Sequence, residues 1–169
     1  ARHRIVWLLI LMFSATITGT IITKYEDAFA AIPLLVSFIP MLMDTGGNCG
    51  SQSATLIIRG IALGEIQFKD IFRVIFKEFR VSLIVSVVLA LANGVRILIM
   101  YKDVSLALVI GLSLIGTVII SKLIGCVLPL LAKKVRLDPA IMASPLITTL
   151  VDTCSILIYF NIATMLFNL

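Results

Sequence analysis

The stretch from Pro139 to Leu166, PAIMASPLITTLVDTCSILIYFNIATML, contains one charged residue, Asp152. A run this apolar exceeds the roughly 20 residues that carry a helix across a ~30 Å hydrocarbon core. In lipid such a run must be helical, because only then does every backbone N–H and C=O find a partner within the segment. Asp152 would sit about 20 Å along that helix, near mid-bilayer depth, at 1.5 Å of rise per residue. An ionised carboxylate is costly there unless it meets water, a cation or a basic partner. Thr148 and Ser144 stand one and two turns earlier, so two hydroxyls share the face of the acid.

The rest of the chain fits the same solvent. Of 169 residues, 60% are hydrophobic and 14% charged, and the mean hydropathy is +1.16, far from a soluble globular mix. Residues 5–22 form a first uncharged span. Residues 28–58 carry a single charge, Asp44, but would be about 46 Å long as one helix, more than a bilayer needs. Pro33, Pro40 and the cluster Gly46-Gly47-Asn48-Cys49-Gly50 are therefore expected to bend or unwind it. In residues 68–80, Phe68, Ile71, Phe72, Ile75, Phe76 and Phe79 recur at helical spacing, with Lys69, Arg73, Lys77 and Arg80 elsewhere on the wheel. That pattern predicts an amphipathic helix lying on the membrane surface. Spans at 81–100 and 104–131 follow, with Arg96 near the end of one and Lys122 inside the other. The expected fold class is all-α: a polytopic membrane protein of five transmembrane helices plus the interfacial helix, in one domain over residues 1–169.

Charge supplies the orientation. With the N-terminus in the cytoplasm, Arg2, Arg4, Arg59, Lys69, Arg73, Lys77, Arg80, Lys133, Lys134 and Arg136 lie inside, against Lys24 and Lys102 outside. The formal charge of +5 thus belongs to the connections of a membrane protein, and no nucleic-acid partner is expected. Five spans place the C-terminus outside. The chain opens on Ala1 and its first apolar run lacks a small-residue cleavage pattern, so a signal peptide is not expected, and a segment of a longer protein is. Cys49, Cys126 and Cys154 have neither zinc-ligand spacing nor disulfide density and are expected to be packing residues.

A second polar group is the run Asp44 to Ser53, DTGGNCGSQS, too polar and glycine-rich for a lipid-facing helix. Its backbone must be satisfied by protein or water, which puts it in the bundle or against a cavity. Its glycines could equally serve close helix packing. Asp152 has a bland alternative too, an ion pair with Lys122 or Arg96, with Thr148 and Ser144 bonding their own backbone carbonyls.

The segment FIPMLMDTGGNCGSQ at residues 38–52, continuing ATLIIRG at 54–60, resembles the second transmembrane helix of the MgtE magnesium transporters. Leu137-Asp138-Pro139-Ala140, Pro145-Leu146, Thr148-Thr149-Leu150 and Asp152 resemble that family's fifth helix. The resemblance runs over essentially the whole chain in the same order. It implies a homodimer in the cell membrane, with the pore on the two-fold axis between second and fifth helices, here lined by Gly46, Gly47, Asn48 and Gly50. It also implies that Asp152 binds Mg²⁺, with Thr148 and Ser144 lining the pore. Some members carry Asn in place of Ser144 and Ala in place of Thr148. Family members usually carry cytoplasmic domains that sense magnesium, and these lie outside this sequence.

Magnesium suits a sparse site, because it holds its water tightly and is bound by one or two carboxylates with waters completing the octahedron. Two copies of Asp152 across a dimer axis would surround a hydrated dication with two negative charges. Asp138 is expected either to guide the ion toward the cytoplasm or to cap the last helix beside Pro139. No enzymatic activity is expected; an intramembrane aspartyl protease using Asp44 and Asp152 is a remote alternative. A sodium- or proton-coupled metal carrier is a nearer one.

Overall fold

The computed structural model describes residues 2–134 and 139–168, and over these it is helical with no strand. Six α-helices follow one another: α1 Arg2–Lys24, α2 Glu26–Ala31, α3 Ile39–Ala62, α4 Ile71–Tyr101, α5 Val104–Lys134 and α6 Pro139–Phe167. Short 3₁₀ segments at Pro33–Phe38 and Phe68–Asp70 lead into α3 and α4. Among the described residues, three stretches are long and apolar enough to cross a membrane: 68–101, 104–134 and 145–167.

The long apolar run at 28–58 bends where proline dictates. α2 stops at Ala31, Pro33 opens a 3₁₀ segment, and Pro40 sits in the first turn of α3, where its missing N–H has no intrahelical role. The glycine cluster, by contrast, does not unwind: residues 46–50 remain α-helical inside α3. α3 closes in a turn at Gly64, whose φ of +74° lets the Glu65 and Ile66 N–H groups both donate to the Gly60 carbonyl.

The expected surface helix at 68–80 is not a separate element. From Ile71 the chain runs as one α-helix to Tyr101, since neither proline nor glycine lies between Ile71 and Asn93 to break it. The alternation of Phe and Lys/Arg in its first turns marks the polar end of a long helix, where basic side chains reach water from an apolar shaft. The left-handed Lys102 then turns the chain into α5.

α5 is the central post, packed against α3, α4 and α6, while α3 also packs on α6 and α1 leans on α6. One end of the bundle is filled by Leu35, Phe38, Leu42, Ile97, Leu106, Ile110 and the buried pair Tyr159 and Phe160. Tyr25 stacks on Phe160 at 4.7 Å, and the Tyr159 hydroxyl donates to the Leu35 carbonyl at 2.8 Å, tying α6 to the 3₁₀ segment before α3. The other end holds Ile57, Val74, Cys126 and Leu130. Between them, Ala54, Ile147 and Val151 join α3 to α6.

Glycine makes that middle layer thin. A Cβ on Gly50 would lie 2.8 Å from Ile147 Cγ2 and 3.2 Å from the Ser121 carbonyl oxygen, and one on Gly46 would lie 2.7 Å from Val151 Cγ1. On α5, a Cβ on Gly125 would run into the backbone carbonyl of Gly50. Backbones this close leave no room for any side chain, the arrangement small residues permit between membrane helices.

Candidate cation site and its polar face

α6 brings Thr148 and Asp152 to one side, and α3 meets them there. Asp44, Gly47, Asn48, Thr148 and Asp152 line one open depression of about 480 Å³, with Pro40 and Met43 on its rim. α3 and α6 lie close here: a Cβ on Gly47 would make ordinary contact with Thr148 Cγ2 at 3.4 Å. Asn48 Nδ2 donates to Asp44 Oδ2 at 3.1 Å across one helical turn, which fixes the amide beside the acid. The Thr148 hydroxyl donates to the Pro145 carbonyl at 3.0 Å and that of Thr149 does so at 2.9 Å. This backbone bonding was the bland alternative for Thr148, and it uses the hydroxyl hydrogen, whereas a metal or its water shell is met by oxygen lone pairs.

No base among the described residues neutralises Asp152. Lys122 lies instead 3.8 Å from Glu78 Oε2 and donates to Ser53 Oγ at 3.3 Å, while Ser53 donates to the same Glu78 oxygen at 2.7 Å. Arg96 donates to Asn93 Oδ1 at 2.9 Å and sits 6.0 Å from the centre of the Phe38 ring. The alternative of an ion pair between Asp152 and Lys122 or Arg96 is therefore overturned: both bases are engaged elsewhere.

Asn48 also borders a second open depression of about 650 Å³, lined by Ser51, Gln52 and Thr55. Asp44, Asn48, Ser51, Gln52 and Thr55 stand at helical spacing, so α3 presents a polar stripe on the side away from α5. Asp44, Asn48, Gln52 and Thr55 are exposed on this chain. A stripe of amide, hydroxyl and carboxylate groups is not a surface for lipid tails, and water or protein must cover it.

The expected pore-lining residues divide between the two sides of α3. Gly47 and Asn48 face the depression, but Gly46 and Gly50 are buried in the seam with α5 and α6 and are off the polar stripe. The reason is the helical period: once the cluster stays wound, residues two apart cannot share a face. Asp138 lies outside the described residues. Ser144 belongs to α6, but its side chain also lies outside what is described. Asp44 and Gln52 belong to the polar run expected in the bundle or against a cavity, but neither they nor Thr55 were expected as site residues, although their spacing from Asn48 by multiples of a turn was the available signal. Among the described residues no group of three or more His, Cys, Asp or Glu side chains gathers as a metal cage. The site offers carboxylate, amide and hydroxyl oxygens in an open depression, a donor set for a hard cation that keeps its water.

Among the described residues, helices throughout, membrane-length apolar spans and an acid in a polar groove that no base neutralises define a helical integral membrane protein. Residues 39–162 match the family model MgtE, described as a divalent cation transporter. Similar proteins called "Magnesium transporter MgtE" are found in Bacillus subtilis, 40% identical over 164 residues and 97% of this chain, and in Thermus thermophilus, 36% identical over 96% of it. A third from Enterococcus faecalis is 33% identical over 98% of the chain. The chain belongs to the MgtE family, a family of transporters and not an enzyme class. It spans about a third of the length of these relatives, 36% in each. Asp44 and Asp152 do share a depression, as the protease alternative required, so it is the family and not the geometry that speaks against proteolysis.

Proposed function

We propose that this chain is the pore-forming part of a magnesium channel or transporter of the cell membrane, acting as a homodimer of five-helix subunits with the N-terminus in the cytoplasm. α1, α3, α4, α5 and α6 are the five spans, and the two-fold axis runs beside the polar stripe of α3 and the Asp152 face of α6. The observation that carries the reading is that stripe. Asp44, Asn48, Gln52 and Thr55 are exposed on a helix whose neighbours are membrane-spanning, and a second copy across a water-filled path covers them without contact to lipid.

Hydrated Mg²⁺ is held by Asp152 of both subunits with help from Thr148 and Ser144, and Asp44 adds a second carboxylate per chain next to it. Four acids around the axis favour a dication over a monovalent ion, because Coulomb attraction scales with ionic charge in a setting of low dielectric. The membrane potential, about 2.3 kcal/mol per elementary charge per 100 mV, draws the ion inward. Asp138, on the cytoplasmic side of α6, receives it.

Thiol modification along the stripe tests the path. With Gln52→Cys, a positively charged thiol reagent is expected to cut Mg²⁺ uptake into vesicles severalfold. The same reagent on Leu108→Cys, on the apolar side of α5, leaves uptake as it was. Undiminished uptake after complete labelling of Gln52→Cys removes the stripe from the ion path. The ion's mode of passage reads out separately: unitary Mg²⁺ currents mark a channel, and flux that ceases without a sodium or proton gradient marks a coupled carrier.

A further inference from the structure

A third cavity lies far from the cation site, where α3 ends and α4 begins. It holds about 530 Å³ between the last turns of α3, the Gly64 turn and the first turns of α4. Six charged side chains line it: Arg59, Arg73 and Lys77 against Glu65, Asp70 and Glu78. Two of the acids are already used within the fold. Asp70 Oδ2 accepts the Gln67 N–H at 2.9 Å, and Glu78 Oε2 accepts the Ser53 hydroxyl and faces Lys122. Among the described residues none of the three bases is in an ion pair, and Glu78 alone of the acids faces a base, Lys122, so three cations stand against the two carboxylates of Glu65 and Asp70, a surplus of positive charge.

The cavity is also amphipathic. Leu56 and Leu63 on its wall are 58% and 61% exposed, and the outer face of α4 beside it carries Phe72 and Phe76, at 82% and 64%. Large apolar residues interleaved with unpaired bases at a helix end mark the boundary between hydrocarbon and water. Guanidinium groups present paired donors that fit the oxygens of a phosphate, and an ammonium beside them adds a point charge.

We propose that this cavity binds a phosphate-bearing anion, and that in the membrane the anion is the headgroup of an acidic phospholipid whose acyl chain lies along Leu56 and Leu63. Arg59 belongs to α3 and Arg73 and Lys77 to α4, so the bound headgroup clamps the end of the helix that carries the polar stripe to its neighbour. The site stands independently of the magnesium reading, since none of its residues lines the cation depression.

The test is the unfolding temperature of the intact protein in three preparations: phosphatidylcholine vesicles, the same vesicles with phosphatidylglycerol, and phosphatidylcholine vesicles with inorganic phosphate. Phosphatidylglycerol is expected to raise it by about 5 °C, the size a near-saturating ligand of the folded state gives in a chain of this length. The variant carrying Arg59→Gln, Arg73→Gln and Lys77→Gln loses that rise. A control carrying Lys69→Gln, Arg80→Gln and Lys133→Gln, which removes equal charge outside the cavity, keeps it. A rise of the same size with inorganic phosphate, lost in the first variant only, supports the anion site with free phosphate as its occupant. Should the first variant not fold, Arg73→Gln alone is expected to lose at least half the rise, and an unchanged rise there overturns the proposal. No rise with either anion, or equal losses in both triple variants, overturns it as well.

Discussion

At the level of single residues, the buried trio Ser53, Glu78 and Lys122 engages a base that would otherwise be available to Asp152. Lys122 is the sole base among the buried residues described, and Glu78, itself buried, sits beside it. Breaking such a pair from one side costs about 3–5 kcal/mol, because the remaining charge has no partner, whereas replacing both members by apolar groups is often close to neutral. Lys122→Met is therefore expected to lower thermal stability sharply, and Lys122→Met with Glu78→Leu to recover more than half of the loss. A double variant as unstable as the single one would show that the pair does not act as a unit.

At the level of elements, the seam between α3, α5 and α6 depends on what glycine lacks. Gly125→Ala is expected to destabilise by about 1–3 kcal/mol or more, since its Cβ meets the Gly50 backbone, which cannot step aside as a flexible side chain can. Gly94→Ala in α4, where nothing lies within 4 Å of the new carbon, is expected to be neutral or to stabilise by about 0.5–1 kcal/mol. Unfolding of the two variants side by side checks the contrast, and equal effects would count against the seam. The same seam explains what the sequence could and could not reveal. Proline gave away the break before α3, because a missing N–H acts locally and needs no neighbour. The glycine run was ambiguous, because the same residues permit unwinding or close packing and only the partner helix decides. Phe68 to Arg80 misled for a related reason: an amphipathic pattern looks alike on a surface helix and on the emerging end of a long span. Asp152 stood out from sequence because one acid in an apolar run has few explanations, while Asp44 meets it only through the packing of α3 on α6.

For the whole molecule, charge sets the expected orientation in the membrane. The basic residues concentrate at one end of the bundle, Arg59, Lys77 and Lys133 among them, and Lys102 marks the other. In sealed cells, Lys102→Cys is expected to react with an impermeant thiol reagent from outside, and Lys133→Cys only after the membrane is opened. Labelling in the opposite sense would invert the topology and with it the direction of ion flow. Thr55→Cys, on the exposed polar stripe, is expected to cross-link to its counterpart in a second copy, as an axis beside α3 requires.

The most direct measurement is Mg²⁺ uptake into vesicles by the Asp152→Asn protein beside the unaltered one, at matched amounts of folded protein. The substitution keeps the shape of the side chain and removes its charge, so uptake is expected to fall at least tenfold, the loss that about 1.4 kcal/mol of binding free energy represents. Uptake at the unaltered rate would contradict the account, because the ion would then cross without the one carboxylate that α6 carries into the membrane.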